Sequence, residues 1–543
     1  MNDISTIKDY HEASKHHFRR YARSLGYLDW ANQPVPFREF IGAEQVALPV
    51  QETDESARYE DIFVPGKVAP QPLCLESISK FFAYSLAISA WKQAGDSRWA
   101  LRVNPSSGNL HPTEGYCLLP AMGGMHTLPG VYHYSPKEHS LERRGKFPQA
   151  VWNSLGANIF LVGLSSIHWR EAWKYGERAF RYCQHDCGHA YMALNIAARM
   201  LGWQVDLLDT VSDQEIAALF GLDRFDEFRP NEEEVPELLI AISPDPQKSP
   251  APYPIPEEFC SGVAQGTWFG KANPLSRTHH PWPLIQVAEQ ASKKPRTTGE
   301  AMDAPGWANL APDRKPATAQ SPSDPSLRTY EQGLSAHQVI TKRRSAVSMD
   351  RKTSLTRKAF YRMLLRIAES DQNLPWQANV HLALFVHRVD DLTPGLYLLV
   401  RHPGIHDALG KATHGHFLWQ RPPECPDNLA LYLLQEGDSI EIARVISCTQ
   451  DIASDGAFSV GMIARFESRL DTYGAWFYKR LFWETGMIGQ LLYLEAEAVG
   501  LSGTGIGCFF DDAVHDLLGL QGMEFQSLYH FTVGKAMVDP RLQ

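Results

Sequence analysis

Long apolar runs are missing from this chain. No stretch of about 18 uninterrupted apolar residues occurs in its 543, which argues against a membrane-spanning helix. The opening residues, MNDISTIKDYHEASKHH, have no apolar core of a signal peptide, so a cytoplasmic location is expected. Clustered positive charge is also missing. The formal net charge is −10 and no long Lys/Arg run appears, so the electrostatic footprint for nucleic acid is not there. Cysteine is sparse: Cys74, Cys117, Cys183, Cys187, Cys260, Cys425, Cys448 and Cys508 are too scattered for a disulfide framework, and free thiols are expected.

What is present is enough apolar residue, 44% against 21% charged, to bury a core. At about 100 to 200 residues per domain, two generous domains are the simplest division. Internal repetition supports it. GHAYMALNIAARMLG at 188–202 lies over GMIGQLLYLEAEAVG at 486–500, an offset of 298 residues. The same offset, without a gap, carries Tyr175-Gly176 onto Tyr473-Gly474, Asp213 onto Asp511 and Gly221-Leu222 onto Gly519-Leu520. Upstream, Pro129-Gly130-Val131-Tyr132 resembles Pro394-Gly395-Leu396-Tyr397, each after a β-prone run such as VHLALFVHRV at 380–389. Apolar residues at helical spacing between the paired glycines predict a buried central helix in each copy. Mixed helices and short strands without a βαβ alternation predict an α+β fold, and two like copies predict an intramolecular pseudo-dimer. The expected boundaries are residues 1–264 for the first domain with its N-terminal helical arm, 265–330 for a Pro/Ser/Lys-rich linker, and 331–543 for the second domain.

Four segments could carry chemistry: Lys342-Arg343-Arg344-Ser345, Asn104-Pro105-Ser106-Ser107-Gly108-Asn109, Gly503-Thr504-Gly505-Ile506-Gly507 and Trp173-Lys174-Tyr175-Gly176. Arginine forks suit a phosphate, and a serine hydroxyl at the start of a following helix adds a donor. Glycines admit close backbone approach to a planar ring, but a glycine-rich stretch after a helix also reads as a plain turn. Cys183, His185, Cys187 and His189 share a helical spacing with metal sites, yet no second ligand pair is evident, so core thiols are expected and no metal. The pairs His16-His17 and His279-His280 read as surface histidines.

At these four segments the chain resembles the nitroreductase superfamily, in particular its SagB-type branch, which includes azoline dehydrogenases. The resemblance implies FMN as cofactor. It implies that Arg343, Arg344 and Ser345 grip the phosphate, with Arg541 of the tail closing on it. It places Gly505, Gly507 and Cys508 at the flavin edge, and brings Pro105, Ser106, Ser107 and Asn109 to the same flavin from the other copy. Lys174 and Tyr175 match a Lys-Tyr pair that takes a proton as hydride leaves. The first copy has Val205-Asp206-Leu207-Leu208-Asp209 where the second has its glycines, and the second has Ser370-Asp371-Gln372-Asn373-Leu374 and Thr472-Tyr473 where the first has its loop and Lys-Tyr pair. These losses are complementary and predict one composite FMN site per chain. The expected reaction is hydride transfer between flavin N5 and a small molecule or peptide, an azoline for instance, with dioxygen or NAD(P)H as redox partner. Two rivals stand beside it: an NAD(P)H-dependent nitro or quinone reductase, and a degenerate flavin- or peptide-binding module without activity. Association of chains beyond the pseudo-dimer is left open.

Overall fold

A computed structural model describes residues 3–50, 56–155, 159–245, 255–298, 333–370 and 374–543. The chain divides into two compact units. The first to be considered comprises Arg23 onward through the N-terminal half, together with Ser335–Thr341 and Arg541–Gln543; the second comprises residues up to Ala22 together with Lys342–Pro540. Among the described residues no helix is long and apolar enough to cross a membrane.

Each unit is built on an antiparallel sheet. In the N-terminal unit the strand order is Thr267–Trp268, Ser140–Lys146, Gly130–Ser135, Thr113–Leu119, Phe160–Ser166, Val235–Ser243, Gln204–Leu207, with Glu44–Ala47 also paired to Ser140–Lys146. In the C-terminal unit it is Leu431–Glu436, Gly395–Leu399, Val380–Val386, Phe458–Arg465, Phe525–Gly534, Ser502–Ile506. From Ser140–Lys146 onward the first order repeats the second, strand for strand. The helices repeat it too. Ala179–Met200 and Phe477–Ala498 are each 22 residues long, and each is buried along nearly its whole length; Asp213–Phe220 and Asp511–Leu518 follow at the same offset. The paired glycines end these helices with positive φ, 69° at Gly221 and 83° at Gly519, a conformation that costs a residue with a Cβ but not glycine. The α+β class, the repeated element order and the buried central helices expected from sequence are all present.

Three boundary expectations need correction. The stretch assigned to a linker is built into the N-terminal unit as far as it is described. Thr267–Trp268 pairs with Lys146 and Gly145, Lys271–Ala272 pairs with Phe40–Ile41, and Pro283–Ala291 is helical with Pro at its start. Its average composition hid a few well-spaced anchors, Leu275, Trp282 and Ile285, that are buried; residues 299–332 lie outside the described residues. The N-terminal arm belongs to the C-terminal unit. Its helix Asp3–Ala13 buries Ile7 and Tyr10, and His11 bonds Tyr478 and Gln526. Conversely, Ser335–Thr341 belongs to the N-terminal unit, where Ala336 N donates to Ala57 O at 2.8 Å.

The histidines taken as exposed are also not all so. His16 is buried, its Nδ1 accepting from Ala22 N at 2.9 Å, and His279 Nε2 lies 2.8 Å from Glu232 Oε1. Adjacency of two histidines in sequence carries no burial signal; the burial comes from the partners each meets, near in the chain for His16 and 47 residues away for His279.

Beneath the sheet of the N-terminal unit, His133 is fully buried between Glu142 Oε2 at 2.8 Å and Glu114 Oε2 at 3.1 Å, and Glu114 also pairs with Arg170. Burial alone would lower the His133 pKa, but hydrogen bonds to the two carboxylates outweigh it and raise it from 6.5 to about 9. A folded-state pKa above the unfolded value gives stability that is complete below about 6.5 and is lost as pH rises through about 9. We therefore expect the calorimetric melting temperature of this unit to fall across that window, and the slope to flatten in His133→Gln.

Candidate functional site

In the C-terminal unit, Arg343 to Ser345 do not start a helix, contrary to expectation. The helix Ala336–Lys342 ends before them and the next begins at Arg357, capped by Thr356. Instead the segment runs as an extended edge beside Ser502–Ile506: Ser345 bridges Gly503 in parallel and Ala346 N donates to Gly503 O at 3.0 Å. The backbone pairing that captures it comes from a strand about 160 residues away, which local composition does not reveal. Tyr493, from the central helix, ties the pieces together. Its hydroxyl accepts from Gly505 N at 2.9 Å and shares a hydrogen bond with Ser345 Oγ at 2.9 Å, and the Arg343 guanidinium lies over its ring at 5.0 Å.

Arg343 is buried, and burial lowers its pKa. Arg344 is lowered to about 10 by burial and then by the charge of Arg343 beside it, with Glu497 opposing. Two neighbouring guanidiniums that disfavour each other in a partly dry setting form a donor set suited to a dianionic phosphate, which would relieve that repulsion. On this chemistry the residues fit the phosphate end of FMN. The glycines have a more ordinary reason. A Cβ on Gly503 would come 2.6 Å from the Phe531 ring, and one on Gly505 would overlap the Tyr529 hydroxyl. Their side-chain space is thus filled by aromatic residues of the neighbouring strand. In the N-terminal unit the matching strand is Gln204–Leu207, without glycine.

In the N-terminal unit the loop and the Lys-Tyr pair come together. Residues Ser107–Asn109 form a single turn with Gly108 at φ 63° and Asn109 at φ 55°. A Cβ on Gly108 would lie 2.7 Å from the Tyr175 hydroxyl and 3.0 Å from Lys174 Nζ, so the absence of a side chain there lets both sit over the loop. Lys174 and Tyr175 close the helix His168–Tyr175, both half-buried, with the ammonium 5.1 Å from the phenol ring centroid. Ser106 Oγ accepts from His111 N at 2.8 Å, which fixes the loop from within.

Two carboxyl groups that sequence reasoning missed complete this cluster. Asp186, on the central helix, accepts from Ser107 N at 3.2 Å and Ser107 Oγ at 3.3 Å. Burial pushes it up to about 7 against the pull of hydrogen bonds from Ser106 and Ser107. Glu171 is fully buried and lies well above the usual carboxylate range, through burial and then the Asp186 charge, with Lys174, Ser106 and Arg170 opposing. At the repeat offset their counterparts are Arg469 and Glu484. Glu484 is ion-paired with Arg401 and accepts from Asn379 N at 3.0 Å and Val380 N at 3.0 Å. One unit thus carries acid against acid, the other acid with base. Asp186 sat within the CQHDCGH run weighed as a metal cluster, and the acid rather than its Cys/His neighbours proves informative. Among the described residues no group of three or more His, Cys, Asp or Glu side chains gathers as a metal site.

Arg541 belongs to the N-terminal unit, its guanidinium 5.8 Å from the Trp99 ring centroid and its carbonyl accepting from Gln93 N at 2.8 Å. Pro105 and Asn109 sit half-buried on the loop, and Cys508 sits half-buried beyond Gly507. Of the segment compared with the loop in the second copy, residues 371–373 lie outside the described residues.

Residues 432–535 match the model of the nitroreductase family. Over 98% of this chain and 99% of its own, the crystal structure of a candidate nitroreductase from Anabaena variabilis superposes with a TM-score of 0.70 at 19% identity. This is a nitroreductase-like α+β fold. A second candidate nitroreductase, from Ralstonia eutropha, aligns over 39% of this chain and 93% of its own, with a TM-score of 0.27 and 15% identity. A chain of the E. coli microcin synthetase complex with truncated pro-microcin bound aligns over 44% and 92%, with a TM-score of 0.27 and 18% identity. Comparison with curated proteins returns no match. The Tyr493 node falls inside the matched stretch, and sequence reasoning passed over it although Asn195 stands at its place in the other copy.

Two outcomes check this geometry. Tyr493→Phe leaves the half-buried Gly505 N–H without its acceptor and should lower stability by about 0.5–1.5 kcal/mol in urea unfolding. The infrared band of the Asp186 carboxyl should titrate with a midpoint near 7, and Asp186→Asn should remove it while leaving the band of Glu171.

Proposed function

We propose that the chain is an FMN-dependent oxidoreductase of the SagB type, moving hydride between an organic substrate, a peptide azoline by preference, and the flavin, with one flavin per chain. The observation that carries this is the pair of buried Arg343 and half-buried Arg344 set beside Ser345 on the Tyr493–Gly505 node, the node lying inside a stretch that matches the nitroreductase family. The fold likeness to the Anabaena protein supports the same oxidoreductase chemistry.

Bound FMN supplies the ring that takes up a hydride at N5, and the organic chemistry is the cofactor's own. The protein's share is binding, orientation and proton handling. Arg343, Arg344 and Ser345 hold the phosphate, with Arg541 as a further basic group. Backbone groups from Gly505 to Cys508 would meet the ring edge. In the N-terminal unit, Pro105, Ser106, Ser107 and Asn109 shape the loop that meets substrate and ring. Lys174 or Tyr175 accepts the proton released as the substrate loses hydride, since both stand over that loop. Asp186 and Glu171 hold the loop through its serines, and their raised pKa keeps the cluster from accumulating two negative charges beside the reacting centre. That both sets of residues serve a single flavin rests on the complementary losses in sequence, and the peptide-azoline substrate on the Lys174-Tyr175 pair. Dioxygen is the proposed final acceptor.

The test is flavin released on denaturation, counted per chain, in the natural protein and in the Arg343→Ala/Ser345→Ala double variant. One FMN that the variant loses supports the reading. None after reconstitution would sink it, and two would overturn the single site. Lys174→Ala should keep its flavin while slowing turnover of a thiazoline-containing peptide by about 10²–10⁴-fold.

A further inference from the structure

Cys448 and Cys508 lie 60 residues apart in sequence, yet their sulfurs stand only 2.6 Å apart. Both are half-buried, whereas Cys117, Cys183, Cys187 and Cys260 are buried; the other half-buried thiols, Cys74 and Cys425, face a serine hydroxyl and backbone carbonyls instead. The contact is held from both sides. Gln450 Nε2 donates to Cys508 O at 2.9 Å and to Ser447 O at 2.9 Å, and Phe510 N donates to Ile446 O at 2.8 Å, so the two segments carrying the cysteines are tied together just before and just after the sulfurs. Tyr21, more than half exposed, is hydrogen-bonded to Cys448 from the outer side.

The backbone at Cys448 is also unusual. Cys448 and Thr449 both take positive φ, 54° and 57°, and consecutive left-handed residues with a Cβ persist only where the surroundings impose them. Here the imposed turn presents one thiol to the other. A disulfide holds its sulfurs about 2.05 Å apart, so the two sulfurs already stand within about an ångström of bonding distance.

We propose that Cys448 and Cys508 form a two-electron thiol–disulfide site that exchanges with low-molecular-weight disulfides. The thiolate of one cysteine attacks a sulfur of the small disulfide, whose S–S bond breaks and whose other half leaves as thiolate. The second protein thiolate then attacks the mixed disulfide, forming the Cys448–Cys508 bond and releasing the other half. The two protein thiols give up two electrons and two protons, and the small disulfide becomes two thiols. The site shares Cys508 with the flavin reading, through its thiol rather than its backbone, and the exchange requires no bound cofactor; the repeat offset puts Thr210 where Cys508 stands, so the N-terminal unit has no equivalent at that position.

The experiment is to equilibrate the full chain over a series of glutathione to glutathione-disulfide ratios, trap thiols by acid and alkylation, and map peptides by mass. The expected result is the joint loss of two of the eight thiols into a single 448–508 cross-link, reversed by glutathione. Cys448→Ser and Cys508→Ser should each retain glutathione on the remaining cysteine, since the second step has no attacker. Independent glutathione adducts on both cysteines of the natural protein, or alkylation of both throughout the series, would overturn the proposal.

Discussion

A carboxyl group carried into the middle of a fully buried helix must be met by hydrogen-bond donors or by positive charge, because leaving it ionised and alone in a dry interior costs several kcal/mol. Each unit of this protein faces that constraint at the same helical position. Glu484 meets Arg401 and two backbone N–H groups at the start of a strand. Asp186 meets the serines of a loop and shares its surroundings with a second acid. One solution locks a sheet to a helix. The other holds a loop by hydrogen bonds that depend on protonation, and it is there that Lys174 and Tyr175 gather. A single repeated position thus separates a charge-paired acid from one that is hydrogen-bonded to a loop.

Much of the architecture was legible in the sequence because repetition does not depend on propensity. The glycine pairs at helix ends, Gly202 with Gly500 and Gly221 with Gly519, marked the copies, and all four adopt positive φ. The Pro-Gly anchors likewise opened matching strands, Gly130–Ser135 and Gly395–Leu399. Boundaries were less legible. They depend on which distant residues meet, and nothing in Lys8 or His11 announces Glu467 or Gln526 as partners. The linker reading failed at 265–298 for a related reason: proline and lysine dominate the average, while a few aromatic and aliphatic anchors decide the packing.

The candidate site offered the sequence its charged and serine residues and hid the groups that touch them. Arg343, Ser345, Lys174 and Tyr175 were singled out by type and order. Tyr493, Asp186 and Glu171 were not, since a tyrosine in an apolar helix reads as core and an acid among histidines reads as a surface charge. The glycines at 503 and 505 have a second cause that the sequence does not display. Their composition pointed to a ligand, while their side-chain space is taken by Tyr529 and Phe531.

The membership of the two units carries a consequence for how this chain can be divided. Residues up to Ala22 fold with the C-terminal unit, and Ser335–Thr341 and Arg541–Gln543 fold with the N-terminal one. A gene cut anywhere between the copies therefore yields two fragments that each lack pieces of their own core and carry pieces of the other's. The two units are separate in structure but interleaved along the chain: neither can be lost, swapped or shuffled as one continuous segment without leaving the survivor incomplete.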